Sequence, residues 1–92
     1  MKKFDDIVAE MLEIYEHKNA DYGNSFEQTC DEFGIVAALV RMNDKMQRIK
    51  KLGMFKQLNG EVADESIIDT LTDLANYAIM TRLWLENNKK AA

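Results

Sequence analysis

Apolar positions recur every three to four residues along almost the whole chain, and no segment alternates with a period of two for long enough to make a strand. The first stretch, residues 4 to about 17, places Phe4, Ile7, Val8, Met11, Leu12, Ile14 and Tyr15 on one helical face. Asp6, Glu10, Glu13 and Glu16 fall on the other and read as a solvated surface. A second, short helix is predicted from Phe26 to Phe33, stopped by Gly34 at a C-terminal position. A third begins at Ile35 and reaches about Leu52, with Ile35, Leu39, Met42, Met46 and Ile49 as its apolar face. The last and longest starts near Asp64, an N-cap candidate, and runs to about Asn87, with fraying from Asn88 onward. Gly53 and Gly60 bracket the connection between the last two helices, which is predicted to be mobile with at most a short turn.

Composition supports this reading. The 92 residues include no proline and four glycines, and 47% are apolar, so long uninterrupted helices are the natural expectation for a single domain. A domain this small buries only about 60% of its unfolded-chain surface. The predicted fold is therefore all-α, roughly a four-helix bundle, stabilised by assembly as a homo-oligomer with its ligand site between helices or at the subunit boundary. A formal net charge of -4 argues against extended nucleic-acid binding. The start Met1-Lys2-Lys3-Phe4-Asp5-Asp6 turns acidic too early for a signal peptide, and no segment is apolar for long enough to span a membrane, so a cytoplasmic location is expected. Cys30, the one cysteine, reads as a small core residue; with His17 the one histidine, neither a zinc cluster nor a Cys-His or Ser-His-Asp nucleophile is supported.

Three features carry candidate chemistry. On the last helix, at about 100° per residue, Glu65, Asp69, Thr72, Asp73 and Asn76 share one arc with Tyr77 at its edge. Ile67, Leu71, Leu74, Ala75, Ala78 and Ile79 lie opposite and are expected to meet the core. The polar arc continues through Leu83 between Met80 and Trp84, so it is expected to point into the assembly, where its mutually repelling carboxylates need a metal ion or basic side chains. An ordinary solvated face is the alternative. On the third helix Arg41, Lys45 and Arg48 set three cations over two turns around Asp44, either paired within the helix or facing the acidic stripe or a phosphate. Between the first two helices, Lys18, Asn19, Asp21, Tyr22, Gly23, Asn24 and Ser25 form a predicted loop with the groups a nucleotide pocket uses, or a plain turn in which Asp21 or Ser25 caps a helix.

Four blocks in order, from Lys18 to Phe26, Glu32-Phe33-Gly34, Arg41 with Asp44, Lys45 and Arg48, and Asp64 to Tyr77, resemble the nucleotide-modification-associated family of small, mostly phage-borne all-helical proteins. That resemblance implies a nucleotide or nucleotide-derived ligand, in a phage-infected or bacterial cell. More distantly, the chain is similar to the MazG-like and dimeric dUTPase-like nucleoside triphosphate pyrophosphohydrolases, in which acidic residues on neighbouring helices hold Mg²⁺. Carried over, Glu65 and Asp69 are the catalytic carboxylates, and Asp44, Glu65, Asp69 and Asp73 the metal set. Lys18, Arg41, Lys45 and Arg48 then hold phosphate, while Asn19, Asp21, Tyr22, Asn76 and Tyr77 shape the base and sugar pocket. The expected function is Mg²⁺-dependent pyrophosphohydrolysis of a nucleoside triphosphate. A binding protein that sequesters a nucleotide or cyclic-nucleotide signal is the second expectation, and a helical module locked by salt bridges the third.

Overall fold

A computed structural model describes residues 1–22, 24–54 and 61–88, with side chains placed for 1–19, 24–54 and 65–88. Four helices account for nearly all of them: α1 (Phe4–Tyr22), α2 (Ser25–Phe33), α3 (Ile35–Met54) and α4 (Glu61–Asn87). No strand occurs among the described residues, and no helix there is long and apolar enough to cross a membrane.

Local chemistry explains most of the boundaries. Asp6, in the first turn of α1, accepts a hydrogen bond at 2.9 Å from the backbone N–H of Lys3, reaching back as the acidic half of a capping box. Gly34 ends α2 with φ 75 and ψ -165, a backbone region essentially reserved for glycine, and its N–H donates to the Cys30 carbonyl at 2.7 Å. Helix α3 restarts at once, with the Ala37 N–H on the Gly34 carbonyl. One glycine is thus the whole α2–α3 connection.

Three boundaries differ from the periodicity-based expectation. α1 continues through Lys18 and Asn19 to Tyr22, where turn-forming residues predicted a loop. The helix is tied to α4 there: Lys18 pairs with Asp73, and Asn19 is half-buried on the cavity wall. α3 runs through Gly53 to Met54, and α4 begins at Glu61, a turn before the proposed Asp64 cap. The side chain of Asp64, and the connection at 55–60, lie outside the described residues.

α3 and α4 are antiparallel. Lys45 sits opposite Asp73 and Arg48 opposite Thr70, the numbers rising on one helix as they fall on the other. α2 lies alongside both, with Phe26 on Tyr77 and the Trp84 Nε1–H donating to Asp31 Oδ1 at 2.8 Å. α1 reaches α4 across a shorter patch, where the Asn76 side-chain amide donates to the Met11 carbonyl at 3.2 Å.

The packed seam overlaps the predicted one in part: Met42 and Ile49 on α3 and Ile67, Leu74 and Ala75 on α4 are half-buried as expected, but its centre is rotated. On α3 it runs through Ala38, Met42, Lys45, Ile49 and Leu52, rotated toward the basic side, so that Ile35, Leu39 and Met46 are exposed. On α4 it runs through Thr70, Tyr77, Thr81 and Trp84, and Leu71, Ala78 and Ile79, expected in the core, are exposed. The buried positions among the described residues are small: Cys30, Ala38, Thr70 and Thr81. Each buried threonine satisfies its hydroxyl on the carbonyl four residues back, Thr70 on Ser66 at 2.7 Å and Thr81 on Tyr77 at 2.6 Å, so neither leaves an unpaired polar group in the seam.

Candidate functional site

A cavity of about 340 Å³ opens between α1, the start of α2, α3 and α4. Its polar wall comes from three helices. Lys18 and Asn19 end the described part of the α1 side, Arg41 and Lys45 lie one turn apart on α3, and Asp73, Asn76 and Tyr77 occupy successive positions on the inward edge of α4. Tyr15, Ser25, Phe26 and Met80 complete it.

Asp73 organises the charge. Lys18 Nζ donates to one carboxylate oxygen at 2.6 Å, and Lys45 Nζ lies 3.2 Å from the other. The carboxylate is 21% exposed, Lys45 28% and Lys18 54%, so the Lys45 pair is the better shielded of the two. Partial burial pushes the Asp73 pKa upward, but the hydrogen bonds and charges of the two lysines outweigh it and hold the group below its ordinary value. Arg41 adds a third cation to the cavity wall, so among the described lining residues three cations stand against one carboxylate. The imbalance favours an anion.

The apolar wall is an aromatic pair. Phe26 and Tyr77 have ring centroids 5.4 Å apart and planes inclined by 44°, a tilted contact that fixes both rings. The Asn76 amide holds the backbone of α1 at Met11 beside them. A smaller cleft of about 50 Å³ shares Tyr15, Asn19, Phe26 and Met80 with the main cavity and continues it toward Trp84 and Asn87.

Of the residues nominated from the sequence for nucleotide contact, Lys18, Asn19, Arg41, Lys45, Asn76 and Tyr77 surround this one cavity. Arg48 does not: it points one turn further along α3, where its Nε–H donates to the Thr70 hydroxyl at 3.2 Å and ties α3 to α4. The side chains of Asp21 and Tyr22 lie outside the described residues. Glu65 and Asp69 are exposed on α4 and Asp44 is exposed on α3, so the acidic stripe does not turn inward as expected; Asp73 alone of the four carboxylates lines the cavity. Among the described residues no three Asp, Glu, His or Cys side chains converge as a metal site. With both Asp73 oxygens engaged by lysines, Asp44, Glu65, Asp69 and Asp73 do not fit a shared Mg²⁺. Cys30 is buried under α3, and burial raises its thiol pKa, helped by the nearby Asp31 carboxylate and opposed by the Ala38 N–H and Arg41. That environment suits an inert core thiol.

Tyr15, Phe26 and Met80 are cavity residues that the sequence does not single out for ligand contact: Tyr15 falls on an apolar packing face and Phe26 at a helix start, whereas Ser25 belongs to the loop with a nucleotide pocket's groups. Their spacing held a signal: Tyr15 precedes Asn19 by one turn on α1, as Met80 follows Asn76 by one turn on α4.

The family described as nucleotide modification associated domain 1 matches this chain over residues 18–85. The chain belongs to that family. The match runs from the last turn of α1 through nearly all of α4 and includes every residue of the cavity wall except Tyr15. No curated protein and no solved structure matches the chain.

Proposed function

We propose that the chain binds a nucleotide in the cavity between α1, α3 and α4, and that holding it is the protein's principal act. The observation that carries this reading is the convergence of Lys18, Arg41 and Lys45 beside the Phe26–Tyr77 wall. Phosphate sits against the cations, with Arg41 offering a planar fork to its oxygens and the lysines acting as point charges. Base and sugar lie against the aromatic wall, with Asn19 and Asn76 as hydrogen-bonding groups. A volume of about 340 Å³ is at the lower end of small-molecule sites and suits one mononucleotide. Membership of a nucleotide-modification-associated family supports the ligand class.

Asp73 has a defined place in this scheme. In the free protein it pairs with two of the three cations and keeps them in position. An arriving phosphate competes with it for Lys18 and Lys45. The distant likeness to Mg²⁺-dependent pyrophosphohydrolases supplies the second reading, in which Glu65 and Asp69 serve turnover; the exposed, divergent carboxylates make it the weaker of the two.

The deciding experiment titrates nucleoside mono-, di- and triphosphates, including a cyclic nucleotide, with and without Mg²⁺. Calorimetry reports binding, while phosphate and pyrophosphate release are followed in parallel. Saturable binding without release establishes a binding protein. Release abolished by EDTA and by Asp69→Asn moves the assignment to hydrolysis. No binding across the panel removes the nucleotide reading.

A further inference from the structure

The cavity and the cleft that continues it differ in charge. Lys18, Arg41 and Lys45 stand on the wall of the cavity. The cleft shares Asn19 and Phe26 with it and adds Asn24, Glu27, Trp84 and Asn87. No lysine or arginine is among the described residues that line the cleft, and its one charged group is a carboxylate. A phosphate is drawn to the first compartment and repelled from the second. A ligand with an anionic end and a neutral end is thereby given one direction.

The neutral end meets rings that the protein holds in place. The Trp84 Nε1–H is taken by Asp31 Oδ1 at 2.8 Å, so the indole is anchored and what it has left for a ligand is apolar surface. Phe26 is fixed in the same way by its contact with Tyr77. Flat heterocycles stack on such rings.

The polar groups of the cleft are not committed elsewhere. Glu27 lies in the first turn of α2, is exposed, and takes part in no ion pair among the described residues. Asn24 stands at the N-cap of the same helix without making a side-chain capping bond. A carboxylate only accepts hydrogen bonds, and its two oxygens suit two neighbouring donors. Among the common bases, guanine alone carries two donors side by side on its pairing edge, N1–H and the 2-amino group. Adenine and cytosine set a ring-nitrogen acceptor beside their amino group, and uracil flanks its one N–H with carbonyls. Each of these turns a lone pair toward the second carboxylate oxygen. The amide donors of Asn24 or Asn87 then suit the guanine O6.

Resting on the nucleotide reading above, we infer that the cleft is the base subsite of the same ligand and that Glu27 makes it selective for guanine. The test is calorimetry of the full chain with the 5′-monophosphates of guanosine, adenosine, cytidine, uridine and inosine. The guanosine nucleotide is expected to bind about 10-fold more tightly than the other three common ones. Inosine, which differs from guanosine by the missing 2-amino group, is expected to lose about 10-fold as well. Glu27→Gln, at an exposed position, is expected to fold with unchanged helicity by circular dichroism and to remove the preference for guanosine over adenosine, because an amide can both donate to and accept from the adenine edge. Equal binding of the common nucleotides overturns the inference and leaves the nucleotide reading standing. So does a preference for another base, inosine binding as tightly as guanosine, or a guanosine preference that survives Glu27→Gln. No binding of any of the five overturns both.

Discussion

The two sides of α4 are built on opposite terms. Toward α1 and the cavity, the helix presents Asp73, Asn76 and Tyr77, and each is engaged: by two lysines, by the Met11 carbonyl, and by the ring of Phe26. Toward the outside it presents Leu71, Ala78 and Ile79, which are exposed. Polar groups are paired inside while large apolar groups remain in water, the reverse of what a self-sufficient monomer does. The difference teaches that the chain's tertiary contacts organise a charged cavity with small residues in the seam, while many of its large apolar residues stay exposed. Cys30, Ala38, Thr70 and Thr81 allow α2, α3 and α4 to approach closely, but they supply little apolar area of their own.

The comparison breaks most readily at the cavity. Arg41→Ala is expected to weaken nucleotide binding about 10- to 100-fold by calorimetry, the loss of a charge-assisted contact. Ala78→Glu on the other side is expected to leave that affinity within about two-fold. Loss of binding by both variants would mean the two sides are one site.

Gly34→Ala probes the hinge on which α2 is placed against both helices. A Cβ there meets nothing within 4 Å, so the cost is the backbone conformation alone, about 1–3 kcal/mol in urea denaturation. Asp73→Asn sharpens the charge side. Stability is expected to fall by about 1 kcal/mol, most of it from the better shielded Lys45 pair because solvent screens Lys18. Affinity for phosphate-bearing ligands is expected to rise, since two lysines are released and a like charge is removed. A metal-dependent site would respond in the opposite direction, losing function with Asp73.

The same carboxylate sets a pH dependence. Its folded-state pKa lies below the ordinary 3.8, so its contribution to stability is fully present above that value. It is lost as pH falls through the depressed value. Wild type and Asp73→Asn are therefore expected to differ in melting temperature at neutral pH and to converge in strong acid. Glu65→Gln and Asp69→Asn, exposed on α4, are the smallest perturbations, each within about 0.5 kcal/mol in stability and without effect on binding affinity.

Much of the architecture was legible because helical periodicity and glycine placement are local properties. The four helices, the stop at Gly34 and the start of α3 at Ile35 all follow from residues within a few positions of one another. The extension of α1 was not, because Asn19 and Asp21 favour turns locally, whereas the helix is anchored there through Lys18 to Asp73, 55 residues away on α4. The acidic stripe was read as a unit, yet the helix turns it edge-on: Asp73 enters the cavity and Glu65 and Asp69 stay in water. Arg48 likewise shares its spacing with Arg41 and Lys45, but the seam captures it at Thr70.

By itself, then, the sequence determined the helical class, the order of the helices, and the pool of cations, amides and aromatics from which the cavity is assembled, since these depend on side-chain identity and local period. Tertiary structure alone decided which arc of α3 and α4 faces inward. An amphipathic helix with small residues along one edge can pack on that edge instead of its most apolar face, and the choice is made by the partner helix: Thr70, Thr81 and Ala38 admit close approach where Leu39, Leu71 and Ile79 do not.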